Sequence, residues 1–218
     1  ILADQGLKLA ALGTGAGWVK HRLSLADADP ARRRTAIDFV RSMVDAAGAH
    51  GAMAIIGSMQ GRAGEQVTTD AARRYLLDAL DECGQHASQY GVPLIYEPLN
   101  RYETNQANSL GDGVKLLESL GSNPNVRLLA DLFHMQIEEV DLAAAVLDAG
   151  CWIGHVHFVD SNRRAVGLGH TDIRPVVSAL RAIGYCGYLS AEAFPYPNPT
   201  EAAAQTMRAF RYWTALPF

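Results

Sequence analysis

Cysteine is scarce in this chain. The three present among 218 residues (Cys83, Cys151 and Cys186) are odd in number, far apart and without metal-knuckle spacing. That excludes a disulfide framework and points to a reducing, cytoplasmic setting. Long apolar runs are also missing: none approaches the ~20 residues of a membrane span, and no signal-peptide pattern opens the chain. A membrane is therefore not an expected partner. Basic charge is not in excess either. A net charge of −4 argues against nucleic acid, which calls for a basic stripe. The one basic run, Arg32 to Arg34, reads as the solvated face of a helix. Composition shifts and low-complexity linkers are absent, so residues 1–218 read as a single domain. What remains is ordinary for a protein with a substantial core, with 49% hydrophobic and 19% charged residues.

Along the chain, short apolar runs alternate with amphipathic stretches. Strands are expected at Leu7–Leu12, Met53–Ile56, Val92–Tyr96, Val126–Ala130, Trp152–Phe158 and Tyr188–Ala191, with a loop around Gly13, Gly15 and Gly17. Helix starts are written as caps: Asp29 before Pro30, Ser109, Asp141, Asp172 and Thr200. A long helix from about Asp70 to Tyr90 places Ala72, Leu76, Leu80, Cys83 and Ala87 on one face, and Gly91 ends it. Strands that are apolar throughout and separated by helices imply a parallel sheet buried on both faces. An open doubly wound sheet and a closed barrel both fit. The open sheet gathers its ligands at one switch point, whereas here polar residues end at least four strands. The reading is therefore an α/β, (β/α)8 TIM-type barrel. Only six strand–helix units are written in the sequence, so it is expected to lack its first N-terminal β/α unit.

Four strand ends carry hard or borderline metal ligands: Glu97 in YEPLN, Asp131 in ADLFH, His157 in HVHFVD and Glu192 in SAEAF. Each has a plainer explanation. Asp131 can cap a turn, Glu97 and Glu192 can pair with Arg101 or Arg163, and His157 can be a satisfied core histidine. Together they are harder to dismiss, because three carboxylates and an imidazole in a low-dielectric mouth repel or shift in pKa unless a cation joins them. Three oxygen donors and one imidazole suit a divalent ion, Mn²⁺ first, with Mg²⁺ or Co²⁺ as alternatives. His155, on the same strand face as His157, competes for the role. Behind the four lie Asn100, Arg101, Glu103, His134 and Arg163, groups suited to holding hydroxyls or a carbonyl oxygen.

In series, YEPLNRYETN, ADLFHMQIEE, HVHFVDSNR with GLGH, and SAEAF resemble the sugar-phosphate isomerase/epimerase family of xylose isomerase-like barrels. Within it the D-tagatose/D-psicose 3-epimerase group is the most similar. The similarity runs from about Leu7 to the C-terminus. It implies a metal-dependent barrel acting on a small-molecule sugar, with Glu97, Asp131, His157 and Glu192 on the metal. Glu97 and Glu192 would also be the catalytic acid/base pair. Glu103, His134 and Arg163 would contact the O1 and O2 end of the sugar, and the chain would assemble as a homodimer or homotetramer. The family pattern begins with elements that would precede Leu7, so an N-terminally incomplete copy is expected. The register to Arg163 favours His157 over His155.

The implied chemistry is deprotonation next to a carbonyl and reprotonation by a second glutamate. The competing readings are an enzyme like hydroxypyruvate isomerase or inosose dehydratase, and a non-catalytic sugar-binding barrel. A metal-dependent abasic endonuclease shares the fold, but the acidic balance and seven histidines argue against it.

Overall fold

The computed structural model describes residues 2–121 and 125–215. Within them six strands lie side by side in chain order: β1 (Ala11–Gly13), β2 (Met53–Ile56), β3 (Leu94–Tyr96), β4 (Val126–Asp131), β5 (Ile153–His157) and β6 (Leu189–Ser190). Every pairing is parallel. Consecutive parallel neighbours joined by helical crossovers are the arrangement of a barrel wall, and they rule out a doubly wound sheet, whose strand order reverses at a switch point.

The strands bury both faces because their side chains alternate. Ile55, Ile95 and Leu129 meet on the inner face, with Ala11 and Met53 beside them. Ala54, Ile56, Leu94, Tyr96, Leu128, Ala130 and Val156 face outward into the main core. That core is completed by helices: α1 (Gly15–His21), α2 (Pro30–Gly48), α3 (Thr69–Ser88), α4 (Leu110–Glu118), α5 (Leu132–Glu138), α6 (Leu142–Ala149), α7 (Ile173–Ala182) and α8 (Pro199–Ala215). Helix α2 buries Ala36, Val40, Val44 and Ala47 at the three-and-four spacing of an amphipathic stripe. None of the described helices is long and apolar enough to cross a membrane.

The caps behave as written for α2, α4, α6 and α7. Asp29, Ser109, Asp141 and Asp172 each accept a backbone N–H of the first turn. Elsewhere the structure corrects the reading. Gly15 and Gly17 lie inside helix α1 rather than in a loop. At Gly17 the sulfur of Met59 and the ring of Phe39 pack where a Cβ would sit, so a tertiary contact selects glycine against its low helix propensity. Helix α5 was not expected: seven residues are too few to show a period. The α3 cap is Thr68. For α8 the capping oxygen is Asn198 Oδ1, which accepts the Glu201 N–H at 3.0 Å, in place of Thr200.

Candidate metal centre

Strand register assembles the centre. In β4 and β5, Asp131 is paired with His157, and across β5 and β6 His157 is paired with Ser190. Glu97 follows the last residue of β3 and Glu192 lies two residues beyond β6, so all four leave the C-terminal edge. Each offers a ligand atom, and those atoms lie within 4.8 Å of one another. His157 Nδ1 is 2.9 Å from Asp131 Oδ2, 3.5 Å from Glu192 Oε2 and 3.6 Å from Glu97 Oε1. Only the first is a hydrogen bond. Glu97, Asp131 and His157 are buried, whereas the Glu192 side chain is 55% exposed and closes the cluster from the open side.

Each plain alternative raised by the sequence can now be placed. Asp131 does both jobs: Oδ1 caps α5, accepting the Phe133 N–H at 2.8 Å, while Oδ2 faces His157. Glu192 pairs with Arg163 Nη2 at 2.8 Å without leaving the cluster. Arg101 is turned away, to Glu138 at 2.9 Å. His155 is on the same inner face, but its Nε2 lies 2.7 Å from Ser190 Oγ and it does not join the four.

The electrostatics are those of crowded buried acids. Burial is the largest influence on Glu97 and raises its carboxyl to about 7, against the pull of His157. Burial lowers the His157 imidazole, but Asp131 and Glu97 outweigh it and bring the group to about 10. Asp131 goes the other way: burial raises it, and the His157 hydrogen bond with the charges of His134 and Arg163 holds it below the usual carboxylate range. Glu97 Oε1 is buried without a hydrogen-bond partner, a costly state for an ionised oxygen. A set of three carboxylates and one imidazole, converging on a point with one orphaned acceptor, fits a divalent cation.

A second tier surrounds this point. His134 Nδ1 lies 3.2 Å from the Asn100 backbone N–H and 2.8 Å from the Asn100 side-chain nitrogen. Both are donors, so Nδ1 accepts and Nε2 carries the hydrogen. That Nε2 is buried, unpartnered and 3.8 Å from Glu97 Oε1. Arg163 stands over the Phe133 ring, and its Nη1 is 3.8 Å from Glu103 Oε1.

Three supporting residues escaped the sequence reading. Gln60 donates to the Glu97 carbonyl oxygen at 3.0 Å and accepts the Tyr96 hydroxyl at 2.6 Å. At Gly57 a Cβ would lie 2.5 Å from Glu97 Oε2, so glycine is what lets that carboxylate pass. Asp160 is buried and accepts N–H groups from Ser161 (2.8 Å), Gly167 (2.8 Å) and Thr171 (3.0 Å), shaping the loop that carries Arg163. An acid three residues past a strand histidine, followed by a glycine-rich stretch, was the available signal for it.

Fold and centre together define a parallel-barrel protein with a carboxylate-rich cluster able to hold a metal ion at the C-terminal rim, and residues 1–213 match the family described as Xylose isomerase-like TIM barrel. This chain belongs to that family. It is 40% identical over 116 residues to an L-ribulose 3-epimerase of Mesorhizobium japonicum, covering 53% of this chain and 39% of that protein. It is 36% identical over 118 residues to a D-psicose 3-epimerase of Agrobacterium fabrum, covering 54% and 40%. The matched stretch thus spans about two fifths of the length of these curated relatives. Among solved structures, a 3-keto-D-glucoside 4-epimerase from E. coli superposes with a TM-score of 0.84 at 24% identity, over 97% of this chain and 81% of that one. This last similarity is one of fold.

Proposed function

We propose that this protein is a metal-dependent epimerase or isomerase of a ketose or related sugar, acting by proton transfer at the carbon next to the carbonyl. The observation that carries the reading is the convergence of Glu97, Asp131, His157 and Glu192 on one point, with Glu97 Oε1 orphaned there. These four are assigned as ligands of a divalent cation, Mn²⁺ first, with Mg²⁺ or Co²⁺ as alternatives. When bound, such an ion supplies electrostatic stabilisation for the negative charge that deprotonation leaves on the sugar's carbonyl oxygen.

The proton work belongs to the side chains. One glutamate takes the C–H proton while the bonding electrons move to form a C=C bond and charge the carbonyl oxygen. The other returns a proton to the same carbon from the opposite face, the C=O bond re-forms and the carbon is inverted. Glu97 and Glu192 fill these roles because they leave strands separated by β4 and β5 and approach one point from two sides. His134, kept neutral by burial, presents its Nε2–H to a sugar oxygen, and Glu103 and Arg163 hold neighbouring hydroxyls. The names of the two curated relatives favour C3 of a ketose as the reacting carbon. The three unpaired cysteines support a reducing, cytoplasmic setting.

Incubation with a panel of ketoses and Mn²⁺ in deuterated water, read by NMR, tests the reading. Label at C3 is expected, whereas label at C1 or C2 makes the protein an isomerase. Glu97→Gln and Glu192→Gln are each expected to abolish turnover while far-UV circular dichroism is unchanged. Substantial turnover in either variant defeats the two-base scheme.

A further inference from the structure

Asn100, three residues past Glu97 and buried, has every polar atom engaged. Its carbonyl oxygen accepts the N–H groups of Glu103 (2.9 Å) and Thr104 (3.2 Å), winding the chain back on itself. Its Oδ1 accepts the Tyr102 N–H at 3.0 Å, an Asx-type turn. Its backbone N–H and its Nδ2 both donate to His134 Nδ1 (3.2 and 2.8 Å), and Nδ2 also reaches Glu103 Oε1 at 3.2 Å. The amide has one workable orientation. Turned over, its oxygen would face the Glu103 carboxylate and its nitrogen the Tyr102 N–H, like against like at both ends.

That arrangement decides which nitrogen of His134 carries the hydrogen. Glu103 Oε1 lies 3.9 Å from His134 Nδ1, beyond hydrogen-bond reach, with the Asn100 amide nitrogen bonded to both. A carboxylate that closed on Nδ1 would draw the hydrogen to that nitrogen. Nε2 would then be left with a bare lone pair, 3.8 Å from the acceptor Glu97 Oε1. The amide donor occupies that place instead, so the buried Nε2 keeps its hydrogen and has no hydrogen-bond partner among the described residues. A neutral N–H without a protein acceptor, beside the point where Glu97 and Glu192 converge, is free for an oxygen of the substrate. Such a donor gains strength as negative charge grows on that oxygen during proton removal.

We propose that Asn100 is a positioning residue of the reaction. Its amide holds His134 in the tautomer that presents Nε2–H to the substrate and holds the Glu103 carboxylate off the other ring nitrogen. This rests on the reading of the centre as a proton-transfer site. The contribution falls on the transition state, because the donor matters most when the sugar oxygen is charged.

Asn100→Asp separates this role from a structural one. Aspartate keeps the acceptor for the Tyr102 N–H, and hence the turn, but has no donor for Nδ1. The tautomer is read by long-range ¹H–¹⁵N correlation of histidine-labelled protein loaded with Mg²⁺, which unlike Mn²⁺ is diamagnetic. His134 is the signal set lost in His134→Gln. The wild type is expected to show a bare Nδ1 and a hydrogen-bearing Nε2, and Asn100→Asp to exchange the two. With the ketose that the wild type exchanges fastest, Asn100→Asp is expected to lower kcat and kcat/KM together by about 10–100-fold. Its far-UV circular dichroism and its Mn²⁺-induced rise in Tm are expected to be retained. Asn100→Ala, which keeps only the backbone N–H to Nδ1, is expected to fall between the two in kcat. A wild-type Nδ1–H tautomer, an unchanged tautomer in Asn100→Asp, or wild-type kcat in either variant overturns the assignment of Asn100 and leaves the proton-transfer reading intact. Wild-type exchange with none of the ketoses overturns the proton-transfer reading, and the role of Asn100 with it, whatever the tautomers show.

Discussion

At Asp160 one buried carboxylate organises the loop that delivers Arg163. Burial alone would raise its pKa, but the N–H groups of Thr171, Ser161, Gly167 and Gly169 outweigh burial and hold it below the ordinary value. A depressed folded-state pKa means the stabilisation is complete above the unfolded value of about 4 and is lost as pH falls through the folded one. Asp160→Asn replaces an acceptor oxygen with a donor facing N–H groups and should cost about 2–3 kcal/mol at neutral pH. Urea titrations should show the gap between wild type and variant narrowing below about pH 4; a gap independent of pH would show that the charge is not what holds the loop. Glu97 shows the same dependence on small supports. Its carboxylate lies where only glycine leaves room at position 57, and Gln60 fixes its carbonyl oxygen. For Gln60 and Gly57 no local pattern marks the role, so the reading that found the four strand-end groups passed over them.

Among the elements, β5 places His157 and is also tightly packed at its glycine. A Cβ at Gly154 would lie 2.6 Å from Arg127 Cβ and 2.8 Å from Ile95 Cδ1. Arg127 lies on the neighbouring strand β4, and Ile95 on β3, one strand further along the sheet. Gly154→Ala should therefore destabilise by about 1–3 kcal/mol through overpacking, read as a lower urea midpoint with unchanged slope. Capping was legible because it is local: Asp29, Ser109, Asp141 and Asp172 need only the first turn of their own helix. Helix α1 was not legible, since the reason for Gly17 is Met59 on another segment.

For the molecule as a whole, the centre should couple metal binding to stability. A cation that binds the folded chain alone contributes about 2.7 kcal/mol at a hundredfold excess over Kd, which corresponds to roughly 5–10 °C in Tm for a chain of this size. Mn²⁺ should produce that rise, EDTA should reverse it, and Asp131→Asn should abolish it. The rise should also grow with pH. Glu97 at about 7 and His157 at about 10 must give up protons before they can bind a metal, and proton release strengthens binding as pH increases. Calorimetric melts at two pH values, with and without Mn²⁺, read both effects. An equal rise at both values would mean that these two groups are not ligands.

The sequence by itself set out the alternation of strand and helix, most of the caps and the candidate groups at four strand ends, because each is a local pattern or a polar residue ending an apolar strand. Tertiary structure decided between His155 and His157, which share a strand face and differ by one step in depth. Only pairing with β4 and β6 shows that His157 meets Asp131 while His155 is taken up by Ser190. It also decided the surroundings of that cluster, namely the glycine under Glu97 and the loop gathered on Asp160. Those depend on contacts between segments distant in the chain, which no run of neighbouring residues encodes.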